Sequence, residues 1–198
     1  MVLELGELDA KPDLQGVALL LLMMRITEAM YLGDRHQRKL CIIDEAWRLM
    51  GGGNAGDFIE QGYRTARKFG GAFMTVTQGI EDYYRSGTSQ AALDNADWMF
   101  LLRQKPESLK AAEKSERLVI DESLRRLLSS IDTRQGRYSE IAILGPRGTA
   151  VERLVVDPFT EKLYSTKAEE FAAIEGLMSR GLSLVEAVER VAGVERDR

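Results

Sequence analysis

The hydrophobic pattern divides the chain into short apolar runs separated by longer periodic segments. Residues 2–8, VLELGEL, alternate Leu3 and Leu5 with Glu4 and Gly6, which predicts a short strand. Residues 13–32, containing VALLLLMM, predict a long, strongly apolar helix ended by Gly33. The polar stretch DRHQRK at 34–39 reads as a loop, and LCIID at 40–44 as a fully buried strand, apolar on both faces. After a helical turn over Glu45–Met50 and the loop GGGN, residues 55–69 place Phe58, Ile59, Gly62, Ala66 and Phe69 at helical spacing. A second buried strand falls within 70–78, a helix at about 88–95 and a third buried strand at 98–102. Short helices follow near 107–117 and 122–130. YSEIAIL (138–144) and TAVERLVV (149–156) flank GPRG as a β-hairpin. In the tail, Thr166–Glu169 and Ser183–Glu186 read as capping boxes, each opening a helix.

Buried strands alternating with helices up to about residue 102 predict an α/β fold. Its sheet is mostly parallel, with helices on both faces and the hairpin at an antiparallel edge. The expected division is an α/β domain over 1–157 and a helical appendage over 158–198. The run at 17–24 is shorter than the roughly 20 residues that span a bilayer. It also lacks the flanks of a secretory signal, so it is expected to be a buried helix in a soluble protein, any membrane contact coming through a partner. A net charge of −4 gives no overall electrostatic case for nucleic-acid binding, although a local basic patch stays open. Cys41, alone, forms no internal disulfide and fits core packing in a reduced cytosol. His36 has no Cys or His companion, which argues against zinc.

Chemistry concentrates where apolar strands end. CIIDEAW runs into adjacent carboxylates, Asp44 and Glu45, at the carboxyl edge where open α/β folds bind ligands. Asp44 can hold Mg²⁺ through water, because Mg²⁺ keeps much of its hydration shell. Glu45 can polarise a water for attack on a γ-phosphate. The competing reading is that Asp44 caps the turn. Gln78 ends the next strand, where its amide can bond the γ-phosphate or the attacking water, or simply close the strand. In YRTARK, Arg64 and Lys68 share a helix face, with Arg67 beside them. Arginine there can neutralise transition-state charge on a neighbouring subunit, or form the solvated face of an amphipathic helix. Arg103 and Gln104 follow the third strand, where Arg103 is a candidate nucleotide contact or an ordinary strand end. Asp82, Tyr83 and Tyr84 line a surface or a loop.

A nucleotide site of this kind also needs GxxxxGK[ST], and no such string occurs in the 198 residues. The succession CIIDEAW, GYRTARKFGG, TVTQ resembles the carboxyl-terminal part of TraC-type conjugative-transfer ATPases, the motor ATPases of type IV secretion systems. The resemblance continues through NADWMFLLRQK, YSEIAIL, VERLVVDPFTEKLYST and GLSLVEAVERV. It implies a RecA-like P-loop NTPase fold and a hexamer at the cytoplasmic face of the bacterial inner membrane. Such a motor would use ATP and Mg²⁺ to power pilus assembly and substrate transfer, with inner-membrane secretion components as partners. By this analogy Asp44 and Glu45 are the Walker B pair, Gln78 the sensor, and Arg64 or Arg67 the arginine acting in trans. The family's phosphate loop lies upstream of VLELGEL, so the chain is expected to be a piece of a larger polypeptide with little or no ATPase activity alone. The alternatives are a non-catalytic assembly or docking module of the same fold and a DNA-pumping motor, against which the acidic net charge weighs.

Overall fold

The computed structural model describes residues 10–114 and 120–194. The strand expected over 2–8 and the end of the helix expected over 107–117 lie outside them. The chain forms two compact units, one drawn from residues up to 99 plus 104–125, the other from 100–103 and 126 onward.

The first unit is built on two parallel strands, β1 (Lys39–Ile43) and β2 (Gly71–Thr75), paired from Lys39↔Gly71 to Ile43↔Thr75. Helix α1 (Pro12–Thr27) precedes them and continues through a π-helical turn, Glu28–Leu32. The chain then breaks at Gly33, where a Cβ would stand 2.6 Å from the Ala29 carbonyl oxygen. Helix α2 (Gly53–Thr65) connects the strands and ends in a 3-10 turn, Ala66–Phe69. Its apolar stripe of Ile59, Gly62 and Ala66 is buried on one face of the sheet. Gly62 lets the helix close on β2: a Cβ there would lie 2.5 Å from the Phe73 ring. Met30, Ala66 and Phe73 form one apolar cluster, and Ala46, Met50, Ile59 and Ala92 another. Helix α3 (Gly87–Asp94) opens on a Ser86–Ser89 capping box, and α4 spans Pro106–Lys114.

Two expectations for this unit change. The strand at 40–44 is not buried on both faces: Cys41 and Ile43 point inward, whereas Leu40 and Ile42 are 60% and 58% exposed. Among the described residues α2 covers one face, and the other is open. Likewise α1 is not a buried helix. Leu14, Val17, Leu21 and Met24 are exposed along one side, while Ile26 and Met30 at its far end join the core. Counted through Leu32 the helix is long and apolar enough to cross a membrane by length and composition, a test that core helices also pass.

The second unit holds a four-stranded sheet of β3 (Met99–Leu101), β4 (Thr133–Arg134), β5 (Tyr138–Gly145) and β6 (Gly148–Leu154). Strand β5 is central, pairing with β6 on one side and with β4 and β3 on the other. Helix α5 (Glu122–Ser130) leads into this unit. The hairpin forms as expected, with Gly145↔Gly148 closing a Pro146-Arg147 loop. The third apolar run, however, joins β5 instead of the parallel pair, and the hairpin belongs with it. A continuous apolar run specifies two apolar faces, not which strand it will pair with. The mixed α/β class stands, with the parallel and antiparallel strands in separate sheets.

Three helices follow: α6 (Pro158–Leu163), α7 (Ala168–Met178) and α8 (Leu184–Ala192), joined through Ile174, Ala187 and Val188. Ser183 and Glu186 form the expected capping box. Thr166 does not: the cap position of α7 falls on Lys167, which makes no side-chain cap bond but donates from Nζ to Glu170. Helix α6 went unread, although Asp157 before Pro158 is a proper cap, its carboxylate accepting the Thr160 N–H.

Gly62→Ala is expected to destabilise the first unit by about 1–3 kcal/mol through overpacking against Phe73, read as a lower urea midpoint. Glu170 is held at about 2, below its ordinary 4.5, chiefly by Lys162, with Ser165 and Lys167 adding to the effect. A depressed carboxylate stabilises above its unfolded value and loses that contribution as pH falls. The melting temperature of the tail helices should therefore drop between pH 4.5 and about 2, and Glu170→Gln should flatten that drop.

Candidate functional site

The pairing of β1 with β2 does not stop at the last strand residues. The Val76 N–H donates to the Ile43 oxygen at 2.9 Å, and the Ala46 N–H donates to the Val76 oxygen at 3.0 Å. Val76 therefore lies beside residues 43–46 at the carboxyl edge of the sheet, and the segment bearing Gln78 leaves from there. Asp44 and Gln78 are both exposed there, and Glu45 is half-buried.

Glu45 is the only non-glycine at positive φ among the described residues, at φ 47° and ψ 38°. The left-handed region costs an ordinary residue about 1–2 kcal/mol. Three local features hold it. The Asp44 Oδ1 accepts the Glu45 N–H at 2.8 Å, Ala46 is fully buried, and a 3-10 turn (Ala46–Arg48) follows at once. The Glu45 carboxylate pairs with Arg48 Nε at 3.0 Å. Both groups are near half exposure, so this pair contributes well under about 1 kcal/mol and can be exchanged for a ligand contact.

Asp44 suits a hydrated Mg²⁺ better than a bare one. One of its oxygens is taken by the Glu45 N–H, and no group of three or more His, Cys, Asp or Glu that could hold a metal occurs among the described residues. A single outward carboxylate contacting the ion through water, with phosphate oxygens completing the shell, matches how Mg²⁺ is usually bound.

Within the first unit, the two predicted arginines of α2 and its closing turn are not gathered here. Helix α2 leaves the carboxyl edge and returns to the amino edge, where the Gly70 oxygen accepts the Lys39 N–H. Arg67, exposed in the turn just before Gly70, is thus separated from the acid pair by the length of the strands, about 16 Å. Arg64 is exposed and bonds Glu60 Oε1 on its own helix at 2.8 Å. Arg103 lies in the second unit, 3.7 Å from Asp132 Oδ1. The Gln104 Oε1 accepts the Ile80 N–H at 3.3 Å and so steadies the segment after Gln78. Asp82 is buried, paired with Arg85 at 3.1 Å, and the hydroxyl of the half-buried Tyr83 turns inward to Thr75.

Sequence reasoning missed Tyr63 and Thr75, whose hydroxyls meet at 2.8 Å beside that of Tyr83. The available signal was Tyr63 lying four residues after Ile59 on the buried stripe of α2, where a phenol needs a partner. Burial pushes both phenols above their ordinary value, so they remain protonated donors. Burial also raises the Cys41 thiol, in keeping with a packing role.

The family description "TraG P-loop domain" matches residues 1–195 of this chain. Protein TraC of Escherichia coli (strain K12) is 34% identical over 201 residues, an alignment that spans 97% of this chain and 23% of TraC. Among solved structures, VirB4 of Thermoanaerobacter pseudethanolicus superposes with a TM-score of 0.48 at 22% identity, covering 79% of this chain and 38% of VirB4. The chain belongs to the TraG P-loop domain family, and it spans about a quarter of the length of its relative TraC.

Proposed function

We propose that this chain is the acid-pair and sensor portion of a motor ATPase of a conjugative type IV secretion system, coupling ATP hydrolysis to pilus assembly and substrate transfer. The observation that supports the reading is that the segments bearing Asp44, Glu45 and Gln78 start from one sheet edge, where the Val76 bonds join them. In this reading Asp44 holds hydrated Mg²⁺, which when bound neutralises charge on the phosphates. Glu45 takes up the proton of the attacking water once released from Arg48, and Gln78 orients that water or the γ-phosphate. In this reading Arg67, at the far edge of its own sheet, or Arg64 serves a neighbouring copy's nucleotide in an oligomer, hexameric by the resemblance. Arg103 is a further proposed nucleotide contact.

A phosphate cradle would come from a segment outside these 198 residues. The open sheet face bearing Leu40 and Ile42 fits such an arrangement, since parallel sheets are covered on both faces. The assembled protein would lie in the bacterial cytoplasm, peripheral to the inner membrane and in contact with secretion components there.

The isolated chain is expected to show little or no ATP turnover; robust turnover abolished by Glu45→Gln would overturn that expectation. Joined to a phosphate-loop segment, it should hydrolyse ATP, and Glu45→Gln should lower kcat by about 100-fold or more. Nucleotide binding with turnover indifferent to Glu45 would instead favour a non-catalytic assembly module. Glu45→Gly should raise stability by about 1 kcal/mol by relieving the left-handed backbone, while abolishing turnover. Calorimetry on both variants checks this.

A further inference from the structure

We infer that Thr75 is the positioning residue for Gln78, clamped by Tyr63 of α2 and by Tyr83 of the 3-10 turn Ile80–Tyr84; the inference rests on the reading of Gln78 as the glutamine that faces phosphate. Four contacts converge on Thr75. Its N–H donates to the Tyr63 hydroxyl at 3.0 Å, and its Oγ1 lies 2.8 Å from that hydroxyl. Its Oγ1 is also 2.8 Å from the Tyr83 hydroxyl, which donates to the Thr75 carbonyl at 3.0 Å.

A hydroxyl donates one proton, which fixes the direction of the circuit. Tyr83 spends its proton on the Thr75 carbonyl, so Thr75 Oγ1–H donates to Tyr83. Tyr63 O–H then donates to Thr75 Oγ1 and accepts the Thr75 N–H. Each hydroxyl gives once and receives at least once, and every polar atom of Thr75 is used. Closed chains of this kind reinforce one another.

The clamp sits where the sheet needs one. In a parallel ladder alternate residues turn their N–H and C=O to opposite sides. Val76 faces β1, bonding Ile43 and Ala46, so Thr75 presents its N–H and C=O to the opposite edge of β2. Among the described residues no strand pairs with that edge, and the two phenols occupy the place of one. Beyond Thr75 the chain is tied at Val76, at Thr77 (Oγ1 to the Gly79 oxygen, 3.1 Å) and at Ile80, with the exposed Gln78 between. Tyr63 directly precedes Arg64, so the same bonds link the helix of the candidate trans arginine to the strand of the candidate sensor.

In a polypeptide that joins this chain to a phosphate loop, Thr75→Val, which keeps the shape and removes the hydroxyl, should lower kcat about tenfold with KM within about twofold. Thr75→Ser should restore kcat. In the 198-residue chain, Thr75→Val should shift the Gln78 side-chain amide resonances. Val188→Ala in the second unit, a control that only destabilises, should leave them in place. If Gln78→Ala lowers kcat while Thr75→Val leaves both kcat and the Gln78 resonances unchanged, the clamp is not a positioning device. If Gln78→Ala leaves kcat intact, the reading of Gln78 has failed and takes this inference with it.

Discussion

Two backbone hydrogen bonds lie just past the end of the parallel strands: Val76 N–H to Ile43 and Ala46 N–H to Val76. They zip the first residues of two otherwise separate loops together. Without them, Asp44 and Glu45 on one loop and Gln78 on the other would have no reason to share an edge. The bonds continue the register from Lys39↔Gly71 to Ile43↔Thr75, against which α2 packs. Gly62 makes the close approach possible by leaving room for Phe73.

Each side of that zipper carries a feature that raw stability does not require. On the β1 side Glu45 adopts a left-handed backbone, held by the Asp44 carboxylate and the buried Ala46. On the β2 side Thr75 is enclosed by two phenols that take the place of a neighbouring strand. Strain on one loop and a polar clamp on the other are what a site needs if its groups must meet a ligand in fixed positions.

The edge from which Asp44, Glu45 and Gln78 follow was legible because the signal is local: each lies just beyond an apolar run that forms a parallel strand. The hairpin and the Ser183 cap were legible for the same reason. Tertiary choices were not. Leu40 and Ile42 read as buried because a strand's pattern records what its faces are made of, not whether anything covers them. The Met99–Leu101 strand read as a third parallel strand because an apolar run carries no information about its neighbour, and β5 beyond the short β4 offered it a place. Arg67 sat beside Arg64 in the sequence, yet the reversal of α2 across the sheet sends it to the opposite edge. The Tyr63–Thr75–Tyr83 circuit joins three elements, and the sequence marks only Tyr63 as a buried phenol in need of a partner, not which partners it finds.

The most direct test of this account is residue-resolved amide hydrogen exchange of the 198-residue chain. If the ladder carries both site loops to a common edge, Val76 and Ala46 should exchange as slowly as the paired amides of β1 and β2, and Gln78 should exchange fast. Val76 and Ala46 exchanging at the rate of an open loop would contradict it, because the acid pair and the glutamine would then not be held together.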